Sequence, residues 1–98
     1  MMIPVKRIEI VIDAPHSERV TELLTRHGVS GWTLVPGALG AGDRGHRRGD
    51  GITGISSNDL ILTTCAAEEL DALLEELRPL LSSVGGICLV SDTQWLRH

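Results

Sequence analysis

The chain has 98 residues, nine Lys and Arg against thirteen Asp and Glu, and a formal net charge of −4. That length holds one domain. The acidic balance argues against a general nucleic-acid or anionic-membrane surface, and no apolar run approaches the roughly 18 residues of a transmembrane helix.

Val5 to Asp13 is predicted as the first strand, with Ile8, Ile10 and Ile12 alternating against Arg7, Glu9 and Val11. The residues before it enter this pattern rather than the apolar stretch of a leader, so a cytosolic location is expected. His16 to His27 follows as a helix, with Val20, Leu23, Leu24 and His27 on one stripe. Pro15 suits its start and Gly28 its end. Ser17 reads as a cap or turn hydroxyl rather than a nucleophile. Gly31 to Pro36 is a short second strand, ended by its proline.

Residues 37 to 57 come next and hold seven of the eleven glycines, with Arg44, Arg47, Arg48 and His46. They show no apolar periodicity. Connections longer than about 12–15 residues in a compact domain are usually functional or disordered. Glycine lets backbone N–H groups approach a ligand, and arginine grips planar anions with two parallel hydrogen bonds. The segment therefore reads as an anion clasp or as a solvated insertion. It carries a net +1 and leaves −5 on the rest of the chain, which favours a local basic clasp over a nucleic-acid surface.

Asn58 to Cys65 is the third strand and Ala67 to Leu81 the second helix, buried through Leu70, Leu73, Leu74, Leu77 and Leu80 or Leu81. Pro79 is expected to kink or finish that helix, because it cannot donate to the helical ladder. Gly85-Gly86 then opens a last strand, Ile87 to Ser91, followed by a tail from Asp92 to His98. The glycine pair reads as a helix-to-strand turn or as a second backbone cradle for phosphate. The order β-α-β-β-α-β is the split-βαβ, ferredoxin-like α+β pattern, in a single domain over residues 1–98. That fold closes its second and third strands with a few residues, so the length of the 37–57 segment points to function.

Other motifs point elsewhere or nowhere. The glycines lack the Walker lysine and the strand–helix setting of a Rossmann fingerprint. Arg48-Gly49-Asp50 spells an integrin tripeptide without a secretory context. The four histidines share no metal-ligand spacing, so no metal is expected. Cys65 and Cys88 sit in apolar strands and read as reduced core thiols. No nucleophile elbow, HExxH or catalytic carboxylate pair is present, so no enzymatic activity is expected.

In this order the residues resemble the PII signalling-protein superfamily over nearly the whole chain. Gly31-Trp32-Thr33 is similar to the family's Gly-x-Thr step into strand two. The 37–57 insertion sits where PII proteins carry the T-loop, and Gly85-Gly86-Ile87 where they carry the B-loop. The spacing Gly42-x-Arg44-x-x-Arg47 resembles the nucleotide-closing arginine pair of carbon-sensing PII-like proteins, found near bicarbonate transporters and carboxysomes.

The resemblance implies a homotrimer with adenine nucleotides in the clefts between subunits. It places Thr33 near the adenine, with Thr63 as a weaker second match. It gives Gly37, Gly40 and Gly42 loop-base amides, sets Gly85 and Gly86 along the phosphates, and closes Arg44 and Arg47 over them. Two departures narrow it. Ile87 stands where ATP-binding relatives carry a lysine, which favours ADP or AMP, or cyclic AMP, over ATP. The chain has no tyrosine, hence no acceptor for uridylylation. Bicarbonate is the implied second ligand, a transporter or carboxysome component the implied partner, and ligand-driven ordering of the T-loop the implied signal. The alternatives are an ACT-type small-molecule-binding domain, also ferredoxin-like, and a nitrogen-type PII regulator.

Overall fold

A computed structural model describes residues 1–38, 40–42, 45–47 and 57–98. Its elements are β1 (Met2–Asp13), α1 (Ser17–Arg26), β2 (Trp32–Ala38), β3 (Gly40–Gly42), β4 (Gly45–Arg47), β5 (Asn58–Cys65), α2 (Leu70–Val84) and β6 (Ile87–Leu96). Single 3-10 turns, Ala14–His16 and Ala67–Glu69, lead into the two helices. The main sheet runs β2-β5-β1-β6, antiparallel at each pairing. This is the expected α+β, βαββαβ arrangement, with β3 and β4 added as a separate two-stranded ribbon.

One sheet face is buried by helices. Ile8, Ile10, Ile12, Ile61 and Cys65 meet Val20, Leu23 and Leu24 of α1 and Leu73, Leu77 and Leu80 of α2 in one cluster. Strand alternation sends the neighbouring residues to the other face. There the register lines up Val35, Leu60, Val11 and Ile87 in one row, and Thr33, Leu62, Glu9 and Leu89 in the next. The first row is apolar throughout. Ile87 is 53% exposed and Leu89 60% exposed in the single chain.

Four boundaries differ from the sequence reading. β1 begins at Met2 and β6 continues to Leu96, because the two pair from Met2–Leu96 to Val11–Ile87. The predicted tail is therefore mostly strand. β2 runs past Pro36, which is tolerated because β2 is an edge strand and the missing N–H breaks no essential ladder bond. α2 passes through Pro79 to Val84. Beyond the proline, Leu80 is buried and Leu81 and Val84 pack against the core, which offsets the lost hydrogen bond.

Glycines close both helices. Gly28 after α1 has φ +77° and Gly85 after α2 has φ +82°, the left-handed conformation that caps helix C-termini at least cost to glycine. The Gly85 amide donates to the Leu81 carbonyl at 2.7 Å. Gly86 serves a different need. A Cβ there would lie 2.7 Å from Leu81 Cδ2 and 2.9 Å from the Val11 carbonyl oxygen. The side chain could yield, but the β1 backbone could not without loosening β6. Gly86→Ala is expected to cost about 1–3 kcal/mol, as overpacking does. Urea unfolding should show this as a lower midpoint with an unchanged slope.

Candidate functional site

The predicted glycines stand at one end of the sheet, Gly37 on β2 and Gly85-Gly86 before β6, while Thr33 at the start of β2 and Thr63 on the inner strand β5 lie toward the other end. At the end of β2, Pro36 faces Asp59 and Ala38 faces Asn58, leaving Gly37 in a bulge between them. Gly37 has φ +79°, and among the described residues nothing lies within 4 Å of where its Cβ would be. The backbone then enters the β3–β4 ribbon, with Gly40 opposite Arg47 and Gly42 opposite Gly45. Arg44 lies outside the described residues, as do residues 39, 43 and 48–56 of the predicted T-loop.

Gly85 and Gly86 stand at the same end, before β6. β5 and β1 separate β6 from β2. Three strand spacings put the two glycine groups about 14 Å apart across the sheet. A diphosphate is too short to touch both within one copy. Among the described residues β2 and β6 are the outer strands, so the β2 edge of one copy and the β6 end of another can form the two walls of one cleft.

The two threonines also diverge. Thr33 is exposed on the open face at the β2 edge. Thr63 points to the helix side, where it is 4% exposed. Its hydroxyl donates to the Gly31 carbonyl at 2.6 Å and holds the turn that leads into Trp32-Thr33. Within one copy Thr63 thus supports the position of Thr33 rather than facing the same space.

Sequence reasoning missed a buried polar pair beneath the Gly37 bulge. Ser17 Oγ donates to Asp59 Oδ2 at 2.6 Å, and both residues are buried. The signal was available in the alternation. Asp59 stands two residues before Ile61 and four before Thr63, on the face that the core requires to be apolar.

Among the described residues, a cavity of about 430 Å³ beside α2 includes Gly86, and a larger concave surface lies elsewhere. A groove of about 890 Å³ at the opposite end of the sheet is lined by residues including Lys6, Ser30, Glu68, Asp92 and Arg97, and holds none of the predicted site residues. Lys6 and Asp92 form an ion pair within it. Cys65 and Cys88 are free thiols. Burial pushes both above their ordinary pKa, and Glu69 and Glu68 push Cys65 further, so both stay protonated and weakly reactive at neutral pH. Among the described residues, no group of three or more His, Cys, Asp or Glu could hold a metal ion, and no helix is long and apolar enough to cross a membrane.

The family model for nitrogen regulatory protein P-II matches residues 5–98. The chain belongs to the PII family. Its fold superimposes on CPII, a nitrogen regulatory PII-like protein from Thiomonas intermedia K12 bound to ADP, AMP and bicarbonate. The TM-score is 0.90 at 31% identity, over 99% of this chain and 92% of that one. A second CPII structure, bound to ADP and bicarbonate, gives a TM-score of 0.85 at 31% identity, over 99% and 93% of the two chains. CutA from Synechococcus elongatus PCC7942, at 12% identity and a TM-score of 0.67 over 95% and 89% of the chains, shares the fold alone. Curated protein sequences gave no match.

Membership in the PII family sets aside the ACT-type alternative. PII proteins are signalling proteins, and in this PII chain Ile87 follows the Gly85-Gly86 pair.

Proposed function

We propose that this PII protein is a non-enzymatic regulator that binds ADP or AMP in clefts between three copies and responds to bicarbonate. The observation that carries this reading is the separation of Gly37 and Gly85-Gly86 onto opposite edges at one end of the sheet. A nucleotide held by both needs two copies. The ligands of CPII, ADP, AMP and bicarbonate, supply the chemistry suited to such a cleft.

Each part then has a task. Thr33 takes the adenine side, and Gly37, Gly40 and Gly42 offer backbone amides. Gly85 and Gly86 of a neighbouring copy back the phosphates. Arg44 and Arg47 supply positive charge. Thr63 acts through the turn it holds. Without a lysine after Gly86 the site lacks a cation for a third phosphate, which favours ADP and AMP over ATP. Nucleotide contacts with the T-loop alter the surface it offers to a partner in the cytosol, of the class of a bicarbonate transporter or a carboxysome component, by ordering the loop.

Calorimetric titration with AMP, ADP, ATP and cyclic AMP, each with and without bicarbonate, tests the reading. ADP or AMP is expected to bind more tightly than ATP, and bicarbonate to change at least one of those affinities. Tighter binding of ATP would contradict the role given to Ile87. Absence of any adenine-nucleotide binding would remove the reading.

A further inference from the structure

Asp59 is a carboxylate on a face built for aliphatic side chains. It is 6% exposed, and on that face it stands in line with Ile61, Thr63 and Cys65. Its cross-strand partners are Ile12 on β1 and Pro36 on β2. Isoleucine or valine would continue the core there, while a buried carboxylate carries a desolvation cost unless it is well partnered. The partner on hand is Ser17, the first residue of α1, itself 5% exposed, through the 2.6 Å hydroxyl–carboxylate bond. A second bond ties the same corner together, from the Ala14 amide to the Ser57 carbonyl at 2.8 Å. The start of α1, the start of β5 and the end of β1 are thereby fastened at one point.

That point lies under the Gly37 bulge. Pro36 is paired with Asp59 and Ala38 with Asn58, so the rotation of Asn58 and Asp59 sets how Gly37 presents its amide. β2 is an outer strand that pairs with β5 alone, so the bulge is held from that one side. A free Asp59 carboxylate would turn toward water and twist the end of β5. The Ser17 hydroxyl holds it inward.

We propose that Asp59, held by Ser17, is a positioning residue that fixes the Pro36–Ala38 bulge and hence the Gly37 backbone amide for the phosphates of the nucleotide. The ligand half of this inference rests on the nucleotide reading above; the tether itself does not.

The test pairs two hydroxyl deletions in one helix. Ser17→Ala cuts the bond to β5. Thr21→Ala removes another buried hydroxyl, whose bond, to the Glu18 carbonyl at 3.1 Å, closes within α1. Nitrogen–proton correlation spectra read the Gly37 amide, and calorimetry reads ADP affinity. Ser17→Ala is expected to shift the Gly37 amide and to weaken ADP binding about tenfold; Thr21→Ala is expected to do neither. Asp59→Asn keeps the volume and one acceptor, and is expected to fall between the parent and Ser17→Ala on both readouts. It serves as the decisive variant if Ser17→Ala does not fold. An unmoved Gly37 amide overturns the tether. A moved amide with unchanged ADP affinity overturns the positioning role, as does an equal affinity loss from Thr21→Ala. If the parent protein binds no ADP, the nucleotide reading falls and takes the ligand half with it, while the Gly37 amide still decides the tether.

Discussion

Leu89→Glu is expected to break up the proposed trimer in sedimentation velocity and to leave a folded monomer. The reason is the open sheet face. Val35, Leu60, Val11 and Ile87 form an apolar row across four strands, and in the next row Leu62 and Leu89 flank Glu9. Fully burying one such side chain is worth about 1.5–3 kcal/mol. In the single chain Leu89 remains 60% exposed, so that stabilisation is available only to an assembly. A glutamate at Leu89 stands opposite Glu9, a like-charge cross-strand pair that costs the separate chain up to about 1 kcal/mol, too little to unfold it. In the proposed trimer it would add an unpaired buried charge per subunit, at several kcal/mol each.

The two states therefore respond differently to one substitution. ADP binding should be lost along with the trimer, because the proposed cleft takes Gly37 from one copy and Gly85-Gly86 from another. Persistence of the trimer in Leu89→Glu would place the contact on another surface. A monomer that still binds ADP at parental affinity would show that a single copy holds the whole site.

The fold was legible where local pattern and tertiary demand agree. β5 was read to its ends, Asn58–Cys65, where the run Leu60-Ile61-Leu62 and the β-branched Thr63 and Thr64 suit a strand inside a sheet. Gly28 was readable as a helix end because a left-handed cap is a local requirement. Where a distant partner decides, the sequence pattern was silent. Asp92 to Leu96 carries no clear alternation, and becomes strand by pairing with Met2–Lys6. Pro79 argued for a helix end, yet burial of Leu80 carried α2 onward. The β3–β4 ribbon of Gly40–Gly42 and Gly45–Arg47 is joined by backbone pairing, which leaves no hydrophobic period to read.

The candidate site divides in the same way. Its glycines were visible as residues, but the local work of two of them was not. Gly85 is needed to cap α2, and Gly86 to let β6 approach Val11. Any phosphate contact they make is added to those duties, so substitutions there mix stability with binding and are poor tests of function. Thr63 was chosen by match to a family position, while its hydroxyl is engaged with Gly31. Ser17 and Asp59 are 42 residues apart, and an aspartate at a strand's start reads from sequence as turn punctuation. Only the parity of β5 marks it as buried.

Arg44 offers a cleaner test, because its proposed role is chemical and no strand or cap depends on it by sequence pattern. Arg44→Ala is expected to weaken ADP binding about 10- to 150-fold, the effect of losing one charge-assisted hydrogen bond worth roughly 1.5–3 kcal/mol. Arg47→Ala should act in the same direction. Arg48→Ala removes the same charge from the neighbouring residue, outside the Gly42-x-Arg44-x-x-Arg47 spacing, and should stay near the parent. The comparison separates a directed clasp from a diffuse field. Diffuse attraction is screened over about 8 Å at physiological salt and would lower affinity equally for all three variants, with the loss fading as salt rises. A second axis locates the contact on the ligand. Adenosine has no phosphate, so its affinity should be unchanged by Arg44→Ala if the guanidinium grips phosphate, and should fall with ADP if the arginine instead stacks on the base. Equal losses at Arg44 and Arg48 would reduce the segment to its net charge. Unchanged ADP affinity in Arg44→Ala would remove Arg44 from the clasp and leave the phosphates to the backbone amides of Gly37, Gly40 and Gly42.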